Sequence, residues 1–164
     1  MKLLSEACEY GLRAVVWLTQ CPPEPQKVKE ISERINAPAG YLIKVLQDLA
    51  KAGILSARRG SNGGFVLLSD PTELTPLDVI NAIDPIERLS KCPLGLAEHS
   101  KNLCQLHQRI DDAMATIENN FRSVSISEMI AKTAQSDPSC RMLVPCDEKT
   151  RSCVQLETTI HSTM

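Results

Sequence analysis

A hairpin pattern between Ile54 and Leu68 restricts the fold of this chain more than any other stretch. Two strand-like apolar runs flank an Asn-Gly-Gly turn at residues 62–64, and two arginines, Arg58 and Arg59, stand at its base. Asn-Gly favours a tight turn between antiparallel strands because both residues tolerate positive φ. A glycine-rich tip beside arginines can press its backbone against a phosphate or enter a minor groove. A bare β-hairpin is the alternative interpretation of this segment taken alone.

Helical patterns surround the hairpin. The first covers residues 5–19, starts at a serine N-cap and is stopped by a proline-rich segment. The second fits Val28–Ile35, and the third follows a turn at residues 36–40 and has Gly53 as its C-cap. A fourth helix, capped by Thr75, follows the hairpin. Two short helices joined by a brief turn and followed by a hairpin predict a winged helix-turn-helix that binds DNA.

With these elements assigned, the chain resembles the IscR/NsrR/CymR family of bacterial winged-helix transcription regulators over roughly residues 1–133. The wing, which follows Ala-Gly-Ile-Leu and reads Arg-Gly-x-x-Gly-Gly-aromatic, is close to a signature of that family. The residues that carry the resemblance are Tyr10, Gly11, Arg13, Ala14, Ile31–Glu33, Tyr41, Leu42, Leu46, Leu49–Leu55, Arg59–Leu67 and Asp78–Asp84.

The resemblance implies a mainly α fold with a small β-hairpin wing and a long dimerisation helix. It also implies a homodimer that binds a palindromic operator in double-stranded DNA. Cluster-assembly regulators of the family have an acidic base-reading residue directly after the Tyr-Leu pair, where this chain has Ile43. This chain therefore lacks the carboxylate that contacts cytosine in those regulators. The DNA-contacting residues implied by the resemblance are Tyr41 and Lys44 in the third helix and Arg58, Arg59, Ser61 and Gly63 in the wing.

A polar stretch from Lys91 to His107 contains two cysteines, two histidines and one glutamate. Such a loop has no apolar face to bury, so a metal or an iron–sulfur cluster is the obvious candidate to order it. Cys104 and His107 are three residues apart at the start of a helix, so their side chains project from one side. Cys92 can reach both across the loop.

Cluster-carrying members of the family typically have three cysteines in this loop, whereas here the middle one is missing and Glu98 and His99 stand in its region. In the family, a residue of the first helix can ligate the cluster across the dimer. The resemblance therefore implies an iron–sulfur cluster, most simply 2Fe-2S, with the ligands Cys92, Cys104, His107 and Cys8 of the partner subunit. The alternative for Cys8 is a small buried hydrophobic residue on the helix stripe. For Glu98 and His99, exposure in a solvated loop is the simpler interpretation.

A long helix is predicted from about Leu103 to Phe121, with apolar residues at spacings of three and four. This stripe suits antiparallel pairing with a copy of itself in a homodimer. Packing inside its own monomer is the alternative. A shorter helix, from Ser127 to Lys132, is expected to pack back on it after a cap at Ser125 or Ser127.

Composition indicates the compartment. Apolar residues make up 43% of the 164 residues, but no apolar run approaches the roughly 20 residues that span a bilayer. The start of the chain is already acidic at Glu6 and does not read as a secretory signal, so we expect a cytoplasmic protein without membrane contact. Seven cysteines in a compartment that disfavours disulfides indicate metal, cluster or redox chemistry.

Charge is distributed unevenly along the chain. Residues 1–64 carry nine Lys and Arg against six Asp and Glu, a net charge of +3, whereas residues 65–164 carry nine against fourteen, a net charge of −5. A basic N-terminal part is typical of a DNA-binding protein with a separate regulatory part, although chance can produce the same asymmetry. We therefore divide the chain into a winged helix at 1–84, a sensor loop at 85–107, dimerisation helices at 103–133 and a tail at 134–164.

The tail contains Cys140, Cys146 and Cys153, whose gaps of five and six residues do not match the close pairs of a zinc finger or ribbon. These thiols could bind a second metal, act in redox chemistry or assist cluster loading. A mobile tail with incidental thiols is an equal alternative.

Taken together, these features predict a transcription regulator, expected to be a repressor, whose operator binding is controlled by a cluster that senses redox state, iron or nitric oxide. One alternative keeps DNA binding but replaces the cluster by thiol–disulfide switching of Cys92, Cys104 or the tail. Another is an iron–sulfur electron-transfer or scaffold protein whose winged helix binds protein. An enzyme is not expected, because the sequence shows no nucleophile–base pair or phosphate-binding loop.

Overall fold

A computed structural model describes residues 3–60, 62–93 and 103–136 of the chain. In these ranges it contains six helices and one two-stranded antiparallel sheet, which confirms the predicted mainly α winged helix. The elements are α1 Glu6–Thr19, α2 Val28–Ile35, α3 Ala39–Lys51, β1 Leu55–Arg58, β2 Gly64–Leu67, α4 Pro76–Ile83, α5 Gln105–Arg122 and α6 Ile126–Ser136.

Side-chain caps start several of the helices. The hydroxyl of Ser5 accepts a hydrogen bond from a first-turn amide of α1 at 3.3 Å. Thr75 and Asp78 form a reciprocal capping box at α4, with bonds of 3.3 and 2.9 Å. Ser125 and Glu128 make the same arrangement at α6, at 3.1 and 3.5 Å. Each cap satisfies amides that have no partner inside the helix, which is why these residue types mark the helix starts.

Gly53 ends α3, one residue beyond the C-cap Ala52. Its φ of 79° is accessible to glycine without a steric penalty, and it turns the chain out of the helix. The amide of Gly53 donates to the carbonyl of Ala50 at 3.1 Å, and the amide of Ile54 donates to that of Leu49 at 3.0 Å. The predicted end of the helix is therefore correct, but the predicted C-cap Gly53 lies one residue beyond the observed C-cap Ala52.

Three helix boundaries differ from the predicted ones. The predicted turn at 36–40 is too long, because α3 already begins at Ala39 behind the N-cap Pro38. The long helix begins at Gln105, two residues later than predicted, because Cys104 is its N-cap. The last helix, Ile126–Ser136, is longer than the predicted Ser127–Lys132.

The core of the winged helix lies between α1, α2, α3 and the hairpin. Val15, Ile31, Leu42, Leu46 and Leu49 are fully buried there. The hairpin is tied to the segment before α2, because Gln26 and Phe65 exchange two backbone hydrogen bonds of 2.8 and 2.9 Å. The outer surface of α3 and the paired strands of the hairpin are consequently held in a fixed relation by the core beneath them.

The last two helices use their surfaces differently. Ile126 of α6 is fully buried, and its amide donates to the carbonyl of Leu74 at 2.8 Å, so α6 is anchored on the winged helix. Helix α5 packs on α4, but among its described residues only Asp111 is buried. Leu106 and Ile110 of its apolar stripe are 65% and 38% exposed. No helix in the described part of the chain combines the length and apolar character that crossing a membrane requires.

Candidate DNA interface and metal centre

Helix α3 has one buried and one exposed side. Its inner residues Leu42, Val45, Leu46 and Leu49 are buried in the core. Its exposed residues at a helical spacing of three and four are Gly40, Ile43, Lys44 and Gln47. The core thus presents a convex helix surface that a DNA major groove can accept. Gln47 was not among the DNA-contacting residues predicted from the sequence. Its position about one turn after Lys44 nevertheless indicates that it lies on the same side of the helix.

Tyr41 lies on the flank of α3 that faces α1. It is 46% exposed, and its ring makes an edge-on contact with the ring of Tyr10 at a centroid distance of 6.0 Å. The guanidinium of Arg13 lies 5.9 Å from the Tyr10 ring and also pairs with Glu9. These contacts restrict the Tyr41 ring while leaving part of it accessible to a ligand.

The hairpin forms the predicted wing. Arg58 and Arg59 are exposed at its base, and the pairing of Arg58 with Gly64 closes the ladder. The amide of Gly63 donates to the carbonyl of Gly60 at 3.0 Å across the turn. A Cβ at Gly63 would overlap the carbonyl oxygen of Arg58, so only glycine fits this turn. The predicted contact residue Ser61 lies outside the described residues.

Cys92, Cys104 and His107 come together beside the start of α5. The Sγ atom of Cys104 lies 3.1 Å from Nδ1 of His107, and that of Cys92 lies 3.6 Å from the same nitrogen. All three potential ligand atoms lie within 4.8 Å of one another. Cys104 is the N-cap of α5 and His107 follows in its first turn, so the helix orients two of the three side chains.

The geometry and chemistry of this trio fit a metal. Thiolate and imidazole are the donors that zinc and iron–sulfur centres take. A tetrahedral zinc ion, with bonds of about 2.0 to 2.3 Å, holds its nitrogen and sulfur ligands roughly 3.5 Å apart. The observed separations of 3.1 and 3.6 Å are of that size.

An arginine that sequence reasoning missed holds the segment before Cys92. Arg88 donates from Nε and Nη2 to both carboxylate oxygens of Asp111, at 2.7 and 2.6 Å, and from Nη1 to Glu118 at 3.2 Å. The amide of Leu89 donates to Asp111 at 3.0 Å. The bonds from Arg88 hold the pKa of Asp111 below its ordinary value and raise the pKa of Arg88. In the sequence, Asp111 directly after the apolar residue Ile110 of the predicted helix was the feature that could have indicated this contact.

Cys8 lies on the buried side of α1. It is 1% exposed, and its sulfur is 3.8 Å from the carbonyl oxygen of Asp84 and 4.0 Å from that of Ile80. Burial raises the pKa of the Cys8 thiol. The residue also borders a cavity of about 350 Å³ whose wall includes Met114 and Ile117 of α5. Within one protomer, these contacts are those of a buried thiol that donates to backbone carbonyls.

Other predicted candidates lie outside the described residues. These are Glu98, His99, Cys140, Cys146 and Cys153.

Comparison with known proteins identifies the family. The family model described as "Rrf2: Iron-dependent Transcriptional regulator" matches residues 4–132. The chain belongs to the Rrf2 family. A curated protein of Aquifex aeolicus, named as an HTH-type transcriptional regulator, is 27% identical over 131 residues, which cover 78% of this chain and 91% of that protein.

Solved structures of Rrf2-type regulators share the fold. The global cysteine regulator CymR of B. subtilis is 21% identical, with a TM-score of 0.64, and the match covers 81% of this chain and 99% of CymR. T. potens IscR is 20% identical, with a TM-score of 0.66, and the match covers 84% of this chain and 91% of IscR. The resemblance to the IscR/NsrR/CymR regulators and the winged-helix fold are therefore confirmed. This Rrf2 protein is a DNA-binding transcription regulator.

Proposed function

We propose that this Rrf2 protein is a homodimeric repressor that binds a palindromic operator and responds to a 2Fe-2S cluster. The observation that carries the sensing part is the convergence of Cys92, Cys104 and His107, whose ligand atoms lie within 4.8 Å of one another. The signal would be redox state, iron or nitric oxide. The sensor would occupy residues 85–107, between the winged helix and the dimerisation helices.

The DNA interface is assigned to α3 and the wing. Lys44 on α3 and Arg58 and Arg59 on the wing are exposed cations that can neutralise phosphates. Tyr41, whose ring contacts that of Tyr10, can donate a hydrogen bond from its hydroxyl to a phosphate of the DNA backbone. Gly63, and Ser61 of the same turn, would let the tip approach the groove closely.

The sensor would be completed across the dimer. Cys92, Cys104 and His107 would supply three ligands, and Cys8 of the partner subunit is the candidate for the fourth. When bound, a cluster supplies a centre whose charge and stability change with redox state, and imidazole in place of thiolate raises its potential.

Two contacts can transmit a change at the sensor to the DNA interface. The segment after α4 reaches Cys92, and Arg88 ties this segment to Asp111 and Glu118 of α5. A change at Cys92 would therefore act on α4 of the winged helix and on α5 together. Helix α5 has an exposed apolar stripe suited to pairing with a second copy. A shift of α5 would therefore alter the spacing of the two wings in the dimer.

Anaerobic purification of the full chain tests the sensor. We expect a brown protein with iron and sulfide in equal amounts, and loss of both in Cys92→Ala and Cys104→Ala. Cys21→Ala, which changes a cysteine just after α1, is the matched control and should keep the wild-type content of iron and sulfide. Cys8→Ala should lose the cluster and keep the helical circular dichroism of the wild type; retention of the cluster would remove Cys8 from the ligand set.

Operator binding tests the link between sensor and DNA. We expect cluster-loaded and cluster-free protein to differ in affinity for the same operator at one salt concentration. Equal affinities would contradict control by the cluster.

The compactness of the trio supports a second candidate, a cluster-free regulator. Cys92 and Cys104 have sulfur atoms within 4.8 Å of each other, close enough for a modest movement to bring them to a disulfide. A colourless protein without iron, whose operator affinity changes on oxidation, would favour this thiol switch. Colourless protein with one tightly bound zinc would instead assign the trio to a mononuclear ion.

A further inference from the structure

Ile43 is an apolar residue on the exposed side of the recognition helix α3. It is 41% exposed, whereas the apolar residues Leu42, Val45, Leu46 and Leu49 of the same helix are at most 3% exposed. Its neighbours on the exposed side are Gly40 one turn earlier, Lys44, and Gln47 one turn later. The core beneath α3 is thus complete without Ile43, and its side chain is left beside groups suited to DNA.

The chemistry of the major groove restricts what Ile43 can recognise. Isoleucine offers neither a donor nor an acceptor, and the C5-methyl of thymine is the apolar group that the base edges present there. A β-branched side chain also has few χ1 states in a helix, so its methyl groups occupy defined positions. Gly40 adds no side chain one turn earlier, which lets the helix backbone approach the bases closely.

The neighbouring charges favour DNA over protein as the occupant of this surface. Lys44 adjoins Ile43, and the exposed arginines Arg58 and Arg59 follow on the wing. A protein-binding helix face would need a wider apolar area, whereas a single apolar side chain among cations suits a groove between phosphates. The occupant that matches both the apolar and the cationic parts is the major groove of a thymine-containing site.

We infer that Ile43 is a specificity-determining residue that reads the C5-methyl group of one thymine in each operator half-site. The inference rests on the proposed placement of α3 in the major groove and adds the base and the atom that this helix reads. It predicts that the operator of this protein contains a thymine whose methyl group, rather than its hydrogen-bonding atoms, is selected.

The test begins with selection of operators from a random double-stranded DNA library by the full-length, anaerobically purified protein. Each thymine of the selected site is then replaced by deoxyuridine, which removes the methyl group alone. At one symmetric pair of positions we expect the wild-type affinity to fall by about threefold to fourfold per half-site, the effect of one buried carbon. Ile43→Ala should bind the thymine operator more weakly than the wild type by about the same factor. Its affinities for the thymine and the deoxyuridine operators should be equal.

Two further variants give the test its controls. Arg59→Ala should weaken binding to both DNAs and keep the wild-type ratio between them, because its contact is to phosphate. Ile43→Glu should select cytosine at the Ile43-dependent position, since a carboxylate accepts from the amino group of cytosine.

The failures of the two proposals are distinguishable. If every deoxyuridine substitution affects the wild type and Ile43→Ala equally, or if Ile43→Glu still selects thymine, the role of Ile43 is overturned while the DNA interface stands. If the library yields no site, or if Lys44→Ala and Arg59→Ala bind the selected site as tightly as the wild type, the placement of α3 and the wing is overturned as well.

Discussion

Arg88 and Asp111 form a bidentate ion pair that joins the segment before Cys92 to the middle of α5. The two bonds measure 2.7 and 2.6 Å, and Leu89 adds an amide bond of 3.0 Å to the same carboxylate. Asp111 lies one turn beyond His107 on α5, while Arg88 lies four residues before Cys92. We therefore expect the pair to restrain the position of Cys92 relative to the two potential ligands at the start of the helix.

Arg88→Lys should weaken metal binding at the proposed centre. Lysine keeps the charge but lacks the planar fork that engages both oxygens of Asp111, so the segment carrying Cys92 would be less restrained. By analogy with residues that orient metal ligands, we expect the affinity for zinc(II), used as the probe, to fall by about tenfold. Competition with a chromophoric chelator measures this.

Arg122→Lys, a change of the same type at the exposed end of α5, is the control and should retain wild-type affinity. Equal zinc affinity in Arg88→Lys and the wild type would show that the pair does not position Cys92.

Asp111 should make part of the stability pH-dependent. Hydrogen bonds from Arg88 hold its pKa below the ordinary value, so its contribution is fully present above about pH 4, where the unfolded carboxyl ionises. That contribution is lost as the pH falls through the depressed pKa of the folded state. Urea unfolding at a series of acidic pH values should show a shallower decline for Asp111→Asn than for the wild type.

Asp112→Asn changes the exposed neighbour, which lies outside the Arg88 pair, and should reproduce the wild-type decline. A parallel decline in Asp111→Asn and the wild type would contradict the role assigned to Asp111.

Ile110→Glu should prevent formation of the proposed homodimer. Ile110 is 38% exposed in the single chain, and a charge there would be buried without a partner if two copies of α5 pair. Light scattering coupled to size-exclusion chromatography should show the mass of two chains for the wild type and of one chain for the variant at the same concentration.

Asn119→Glu is the control, because Asn119 follows Ile110 by nine residues, which places it on the opposite side of the helix. It should leave the mass unchanged. If Ile110→Glu also stays dimeric, α5 does not provide the interface through this stripe.

Arg59→Ala should change the salt dependence of operator binding. In the proposed interface the wild-type guanidinium would neutralise one phosphate per protomer, and each phosphate left without its cation reduces the slope of log affinity against log salt by about one. Fluorescence anisotropy over a range of salt concentrations measures the slope. Lys132→Ala removes an exposed cation from α6, away from the wing, and is expected to keep the wild-type slope.

The parts of the fold that were predicted from the sequence depend on local physical chemistry. Serine and threonine caps, the glycine after α3 and the glycine-rich turn act on backbone groups within a few residues, so they can be recognised without knowing the tertiary structure. The Cys104–His107 pair was predictable for the same reason, because helical spacing places residues three apart on one side.

The amino-acid sequence by itself determined the helices, the wing and the grouping of Cys104 with His107, because each depends on neighbours in the chain. Only the tertiary structure decided that Cys8 is buried against carbonyls of its own chain, that Arg88 holds Asp111, and that Ile43 remains exposed. A cysteine, an aspartate or an isoleucine can occupy either side of a helix. Which side is covered depends on packing between elements that are distant in sequence.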